Sequence, residues 1–104
     1  MKEGYKVNEC SLYEALNLLE TEDEAKRFIK DLCTPKEIRE MEERWYIAKL
    51  LYDDKLSYRQ ISDFSKTSTT TVTRVARFLH DEEYQGYKII LDRLMKKEEN
   101  EAKQ

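Results

Sequence analysis

Chain-breaking residues are scarce here, with two Gly and one Pro in 104 residues. Sandwiches and barrels need turn residues at short intervals, so this scarcity excludes them and points to helices with brief connections. Long hydrophobic runs are lacking too. The longest unbroken apolar run is Trp45 to Ala48, far short of the about 20 residues a spanning helix needs, so no membrane partner is expected. The N-terminal MKEGYKVNEC has no apolar stretch of the secretory kind, which sets the expectation of a cytoplasmic protein. His80 is the single histidine, and Cys10 and Cys33 stand 23 residues apart without a CxxC pair. A structural zinc wants four N/S ligands at short spacings, so no metal is expected and the thiols read as free and partly buried. No cofactor is expected either. One histidine, no Gly-rich phosphate loop and no paired acid–base constellation leave little chemistry for an enzyme. A Ser57–Asp63–His80 triad can be drawn, yet each has a plainer role as cap, exposed polar residue or helix end.

What is present is charge and aromatic bulk. Charged and hydrophobic residues each make up 39% of the chain, and seven Tyr, three Phe and one Trp supply core volume. That argues against disorder and for one small domain or a pair of helical lobes. Dimerisation would extend so modest a core. The net charge of −3 hides an uneven distribution. Residues 1–54 carry nine Lys/Arg against fourteen Asp/Glu, and residues 81–104 five against seven. Between them, residues 55–80 carry Lys55, Arg59, Lys66, Arg74 and Arg77 against Asp63 alone. Phosphate binding needs a local basic face, not a basic average.

Periodicity and capping predict about six helices. Ser11 caps a first helix to about Leu19, with Leu12, Ala15, Leu16 and Leu19 at helical spacing. Thr21 and Glu24 form a capping box opening a second, with Ala25, Phe28, Ile29 and Leu32 on one face. Thr34-Pro35-Lys36-Glu37 starts a third, running to about Tyr52, with Ile38, Met41, Trp45, Ala48 and Tyr52 as its stripe and Ile47, Leu50 and Leu51 widening it. Asp53 to Lys55 reads as a loop. Two short helices follow, about Tyr58–Ser65 and Thr69–His80, capped by Ser57 and Ser68. A last helix from about Glu82 to Met95 would bury Tyr84, Tyr87, Leu91 and Leu94. Residues 1–10 read as an N-terminal arm, 11–95 as the helical domain and 96–104 as a charged tail that frays.

The basic stretch SYRQISDFSKTSTTTVTRVARFL (57–79) matches a helix-turn-helix: two short amphipathic helices about three residues apart. Ile61, Val72, Val75, Ala76 and Leu79 would form the seam between them. Ser68 would aim the free N–H groups of the second helix at a phosphate. Thr69, Thr70 and Thr73 are short enough for close approach and can bond base edges or touch a thymine methyl. Arg59 has the reach for a guanine or a phosphate, while Lys66 and Arg77 suit backbone contacts. The turn position that often holds Gly is Lys66. A non-Gly residue at positive φ costs on the order of 1 kcal/mol, so a slightly different turn is expected.

LCTPKEIREMEERWYIAKLLYDDKLSYRQISDFSKTSTTTVTRVARFL resembles the Trp repressor superfamily, most closely its YerC/YecD-type branch, over about residues 11–95. The resemblance implies an all-α, intertwined homodimer whose N-terminal helices cross between protomers. It implies that the fourth and fifth helices read double-stranded DNA, with two readers about 34–36 Å apart on a palindromic operator. In that family a corepressor is held by two arginines and a threonine, whose matching positions here are Arg44, Arg74 and Thr34. Val75 stands where the family has the glycine that admits an indole ring, and Asp31 where a leucine lines it. Both oppose tryptophan. For Arg44 the plainer reading is pairing with Glu40 or Glu43, and for Arg74 contact with phosphate.

The leading function is therefore a dimeric, sequence-specific DNA-binding regulator that does not use tryptophan. The alternative is a helical assembly module whose helix-turn-helix is a relic, supported by the net acidic character and the filled ligand slot.

Overall fold

Hydroxyl side chains open five of the six helices among the described residues, because the first N–H groups of a helix have no partner within it. Ser11 accepts from the Glu14 N–H, Thr21 from Glu24, Ser57 from Gln60, Ser68 from Thr71, and Thr34 from Glu37. A computed structural model describes residues 4–103. It contains α1 (Leu12–Asn17), α2 (Glu22–Leu32), α3 (Pro35–Asp53), α4 (Tyr58–Ser65), α5 (Thr69–His80) and α6 (Gly86–Ala102). No strand occurs among the described residues. Residues 1–3 of the expected arm and Gln104 of the expected tail lie outside the described residues; Gly4 to Cys10 form neither helix nor strand.

Two capping boxes are reciprocal. Glu37 Oε1 accepts from the Thr34 N–H at 2.8 Å, as the TPKE pattern predicts, and Gln60 Oε1 accepts from the Ser57 N–H at 2.8 Å. The Thr34 backbone and hydroxyl bonds hold the Glu37 carboxyl below the usual carboxylate range. The expected box at α2 departs from this. Glu24 reaches past Thr21 and accepts from the Glu20 N–H at 2.9 Å, so only half of it forms.

The chain forms two compact units, one up to Ile38 and one from Arg39 onward. In the first, α1 ends at Asn17, short of the expected Leu19, and none of the described residues is buried. Cys33 is half-buried, and Cys10 is exposed, not partly buried, because it lies on the extended arm. The second unit holds the core. Ile47, Ala48 and Leu51 of α3 meet Ile61 of α4, Val72, Val75, Ala76 and Leu79 of α5, and Leu91 of α6. The five seam residues read from the sequence all fall within this core. On α3 the buried residues Ile47, Ala48 and Leu51 all belong to the widened stripe, and Trp45, Leu50 and Tyr52 pack along its border.

The last helix departs most from expectation. It begins at Gly86, not Glu82, because Gln85 takes a left-handed conformation (φ 55°) that a right-handed helix cannot pass through. Tyr84 therefore sits in the preceding turn, 72% exposed, instead of in the core. At the other end α6 continues through Lys96–Ala102, where the sequence led us to expect a frayed tail. Lys, Glu and Ala all sustain a helix without a buried face.

Candidate nucleic-acid interface

Between α4 and α5 the chain turns through Lys66, whose φ of 56° and ψ of 37° are left-handed. The turn thus keeps the conformation usually assigned to glycine, and the altered turn expected from Lys66 is not found. Hydroxyls hold it. Ser62 Oγ donates to the Thr67 carbonyl, Ser65 Oγ donates to the Ile61 carbonyl at 2.8 Å, and Ser65 and Thr67 share a bond at 2.8 Å. These bonds occupy the polar groups of a tight connection and offset the local strain.

The turn presents the start of α5. Thr69, Thr70 and Thr73 are all exposed, while Val72, Val75 and Ala76 on the opposite side are buried. Ser68 is committed to the cap: its Oγ accepts from the Thr71 N–H at 3.1 Å and shares a bond with the Thr71 hydroxyl at 3.0 Å. Its part is to fix the helix end, leaving the first N–H groups and the positive dipole end toward solvent. The threonines are not equivalent. Thr73 Oγ1 donates to the Thr69 carbonyl at 2.9 Å, so it offers a methyl and an acceptor. No intramolecular side-chain bond engages the Thr69 or Thr70 hydroxyl among the described residues.

Arg59 is exposed at the second position of α4. A cation at a helix N-terminus opposes the dipole by a few tenths of a kcal/mol, so local stability does not explain it. Lys66 is exposed at the turn itself. Arg77 lies eight residues beyond Thr69, about 12 Å along the axis, and its Nε meets Glu82 Oε1 at 3.3 Å.

The residues matched to corepressor positions fall in different surroundings. Val75 is 0% exposed within the core. The Thr34 hydroxyl serves the cap of α3. Arg74 lays its guanidinium 4.8 Å from the Phe78 ring centre. Arg44 is half-buried, and the ion pairs among the described residues (Arg27–Asp23, Lys55–Asp53, Arg77–Glu82 and Lys88–Asp92) do not join it to Glu40 or Glu43.

Sequence reasoning missed Phe78, although its i, i+4 spacing from Arg74 places the two side by side. It also missed an apolar groove of about 460 Å³ lined by Trp45, Phe78, Tyr84, Gly86, Tyr87 and Ile90. Of its walls, Trp45 belongs to the stripe expected on the third helix and Tyr84 and Tyr87 to that of the last, while Phe78, Gly86 and Ile90 belong to neither. No described helix is long and apolar enough to cross a membrane.

Comparison with known proteins agrees with this geometry. The chain is 32% identical over 87 residues to the uncharacterized protein YerC of Bacillus subtilis (strain 168), covering 84% of this chain and 82% of that one. A TrpR-like protein from Eubacterium eligens ATCC 27750, known from a crystal structure, superposes with a TM-score of 0.72 at 35% identity, covering 80% of this chain and 84% of the other. The family model described as Trp repressor protein matches residues 9–95. This match, with the six helices of the described residues and their helix-turn-helix, places the chain in the Trp repressor family, a family of transcription regulators and not of enzymes.

Proposed function

We propose that this protein is a homodimeric, sequence-specific DNA-binding transcriptional regulator that reads duplex DNA through α4 and α5 without tryptophan. The observation that carries the reading is the Ser68-capped start of α5, where Thr69, Thr70 and Thr73 face solvent in the only basic stretch of the chain. A reader helix needs small polar side chains free at the groove edge and a rigid support behind them. Here that support is the buried seam of Ile61, Val72, Val75, Ala76 and Leu79. Arg59 and Lys66 add exposed cations on the same two-helix unit, suited to phosphates or a guanine edge.

Independence from tryptophan is supported by Val75, whose buried side chain occupies the position where the family's glycine makes room for the ring. Dimerisation is supported by what a lone protomer leaves uncovered. The described residues of the first unit bury nothing, with Leu18 72% and Leu32 51% exposed, and Ile89 and Ile90 stand about half exposed on α6. Apolar helices in this state call for a partner surface.

The test is a fluorescence-anisotropy titration against enriched genomic fragments across a salt series. Arg59→Ala and Thr70→Ala are each expected to lose about 1–3 kcal/mol of specific binding. Unchanged affinity in both variants would remove α4 and α5 as the reader.

A further inference from the structure

The outer face of α5 does not end with the threonines. Thr70, Arg74 and Arg77 recur at i, i+4 and i+7, so they share one side of the helix, and all three are exposed. The two arginines converge on one ring. The Arg74 guanidinium carbon lies 4.8 Å from the Phe78 ring centre and that of Arg77 5.1 Å from it. The ring is in turn stacked with Tyr84, centroids 6.5 Å apart and planes 14° from parallel. Phe78 is half-buried, so its ring is held while the cations above it stay in water.

A free arginine side chain samples many rotamers, and a phosphate that binds it must suppress them. An aromatic face narrows that choice beforehand and leaves the guanidinium donors free at their edges. We propose that Phe78 is a positioning residue for DNA: it holds Arg74 and Arg77 as a two-guanidinium clamp for the phosphodiester backbone, directly C-terminal to the threonine reader. The inference rests on the DNA-binding function proposed above. Along the axis, Arg74 is about 6 Å and Arg77 about 10 Å beyond Thr70. That places them where a helix whose N-terminus enters a groove about 12 Å wide rises toward its rim. The Arg77–Glu82 contact, between side chains 58% and 37% exposed, is a weak surface pair that a phosphate displaces.

The experiment is a double-mutant cycle read by fluorescence anisotropy on a 30-base-pair duplex of random sequence, from about 50 to 200 mM salt. Arg74→Ala and Arg77→Ala are each expected to reduce the slope of log affinity against log salt by about 1. Phe78→Leu is expected to weaken binding roughly three- to tenfold in the wild-type background and less than twofold in the Arg74→Ala/Arg77→Ala background. Phe78→Tyr restores wild-type affinity, because it keeps the ring. Should Phe78→Leu not fold by circular dichroism, Phe78→Met takes its place in the cycle. Wild-type affinity in the non-aromatic variant, an equal loss in both backgrounds, or no rescue by tyrosine overturns the clamp while leaving DNA binding standing. A wild-type protein that leaves the duplex free even at 50 mM salt overturns the DNA-binding function and the clamp together.

Discussion

Lys66 holds a left-handed backbone (φ 56°) that favours glycine, yet the lysine places a positive charge at the turn of the helix-turn-helix. Stability and charge are therefore in conflict at one residue. Lys66→Gly is expected to raise stability by up to about 1 kcal/mol in urea unfolding, while the salt slope of DNA binding falls by about 1; lower stability would show the turn is unstrained. Tyr52 makes a second residue-level test. Its hydroxyl donates to Asp92, joining α3 to α6, and that bond, with burial and the charges of Asp92 and Glu99, pushes the phenol above its usual range. A group whose folded pKa is raised stabilises the fold fully below its unfolded value, near 10, and that contribution is lost as pH climbs through the folded value. The stability difference between wild type and Tyr52→Phe should be level below about pH 10 and shrink above it. A difference that grows in alkali would contradict this bond.

At the scale of the element, α5 is where local chemistry and the proposed function coincide. Ser68 both ends the turn and opens the helix. Ser68→Ala should cost about 1 kcal/mol of stability by thermal melting, and it should weaken DNA binding as the helix end loosens. A melt identical to wild type would mean the cap is idle. The ranges of α4 and α5 were legible in the sequence because each has a hydroxyl cap, a short amphipathic span and a polar turn. The start of α6 was not. Nothing in Asp81-Glu82-Glu83-Tyr84-Gln85 announces that Gln85 adopts φ 55°, since the signal usually read for such a bend is a glycine and the glycine here is one position later. The seam residues were legible through their 3- and 4-residue spacing. The Phe78 cluster was not, because Phe78 lies outside that seam and an i, i+4 spacing from Arg74 alone does not distinguish a ring contact from two separate side chains.

For the whole molecule, the unequal burial of the two units is the governing fact. The second unit has a continuous core and the first has no buried residue among those described. Composition could indicate that a chain of this size needs help, but not which surfaces stay open. Ile89 and Ile90, about half exposed on α6, supply one such surface. Ile90→Lys alters a side chain already 49% exposed in the protomer, so it spares the core. It should shift the proposed homodimer toward monomer in sedimentation equilibrium; a dimer as tight as wild type would place the interface elsewhere.

The central claim is that two copies of the threonine helix read a duplex together. Selection from a random-sequence DNA pool with the wild-type protein tests it most directly. The account predicts enrichment of an inverted repeat with half-sites about 10–10.5 base pairs apart, centre to centre. A pool that stays random after repeated rounds would contradict it.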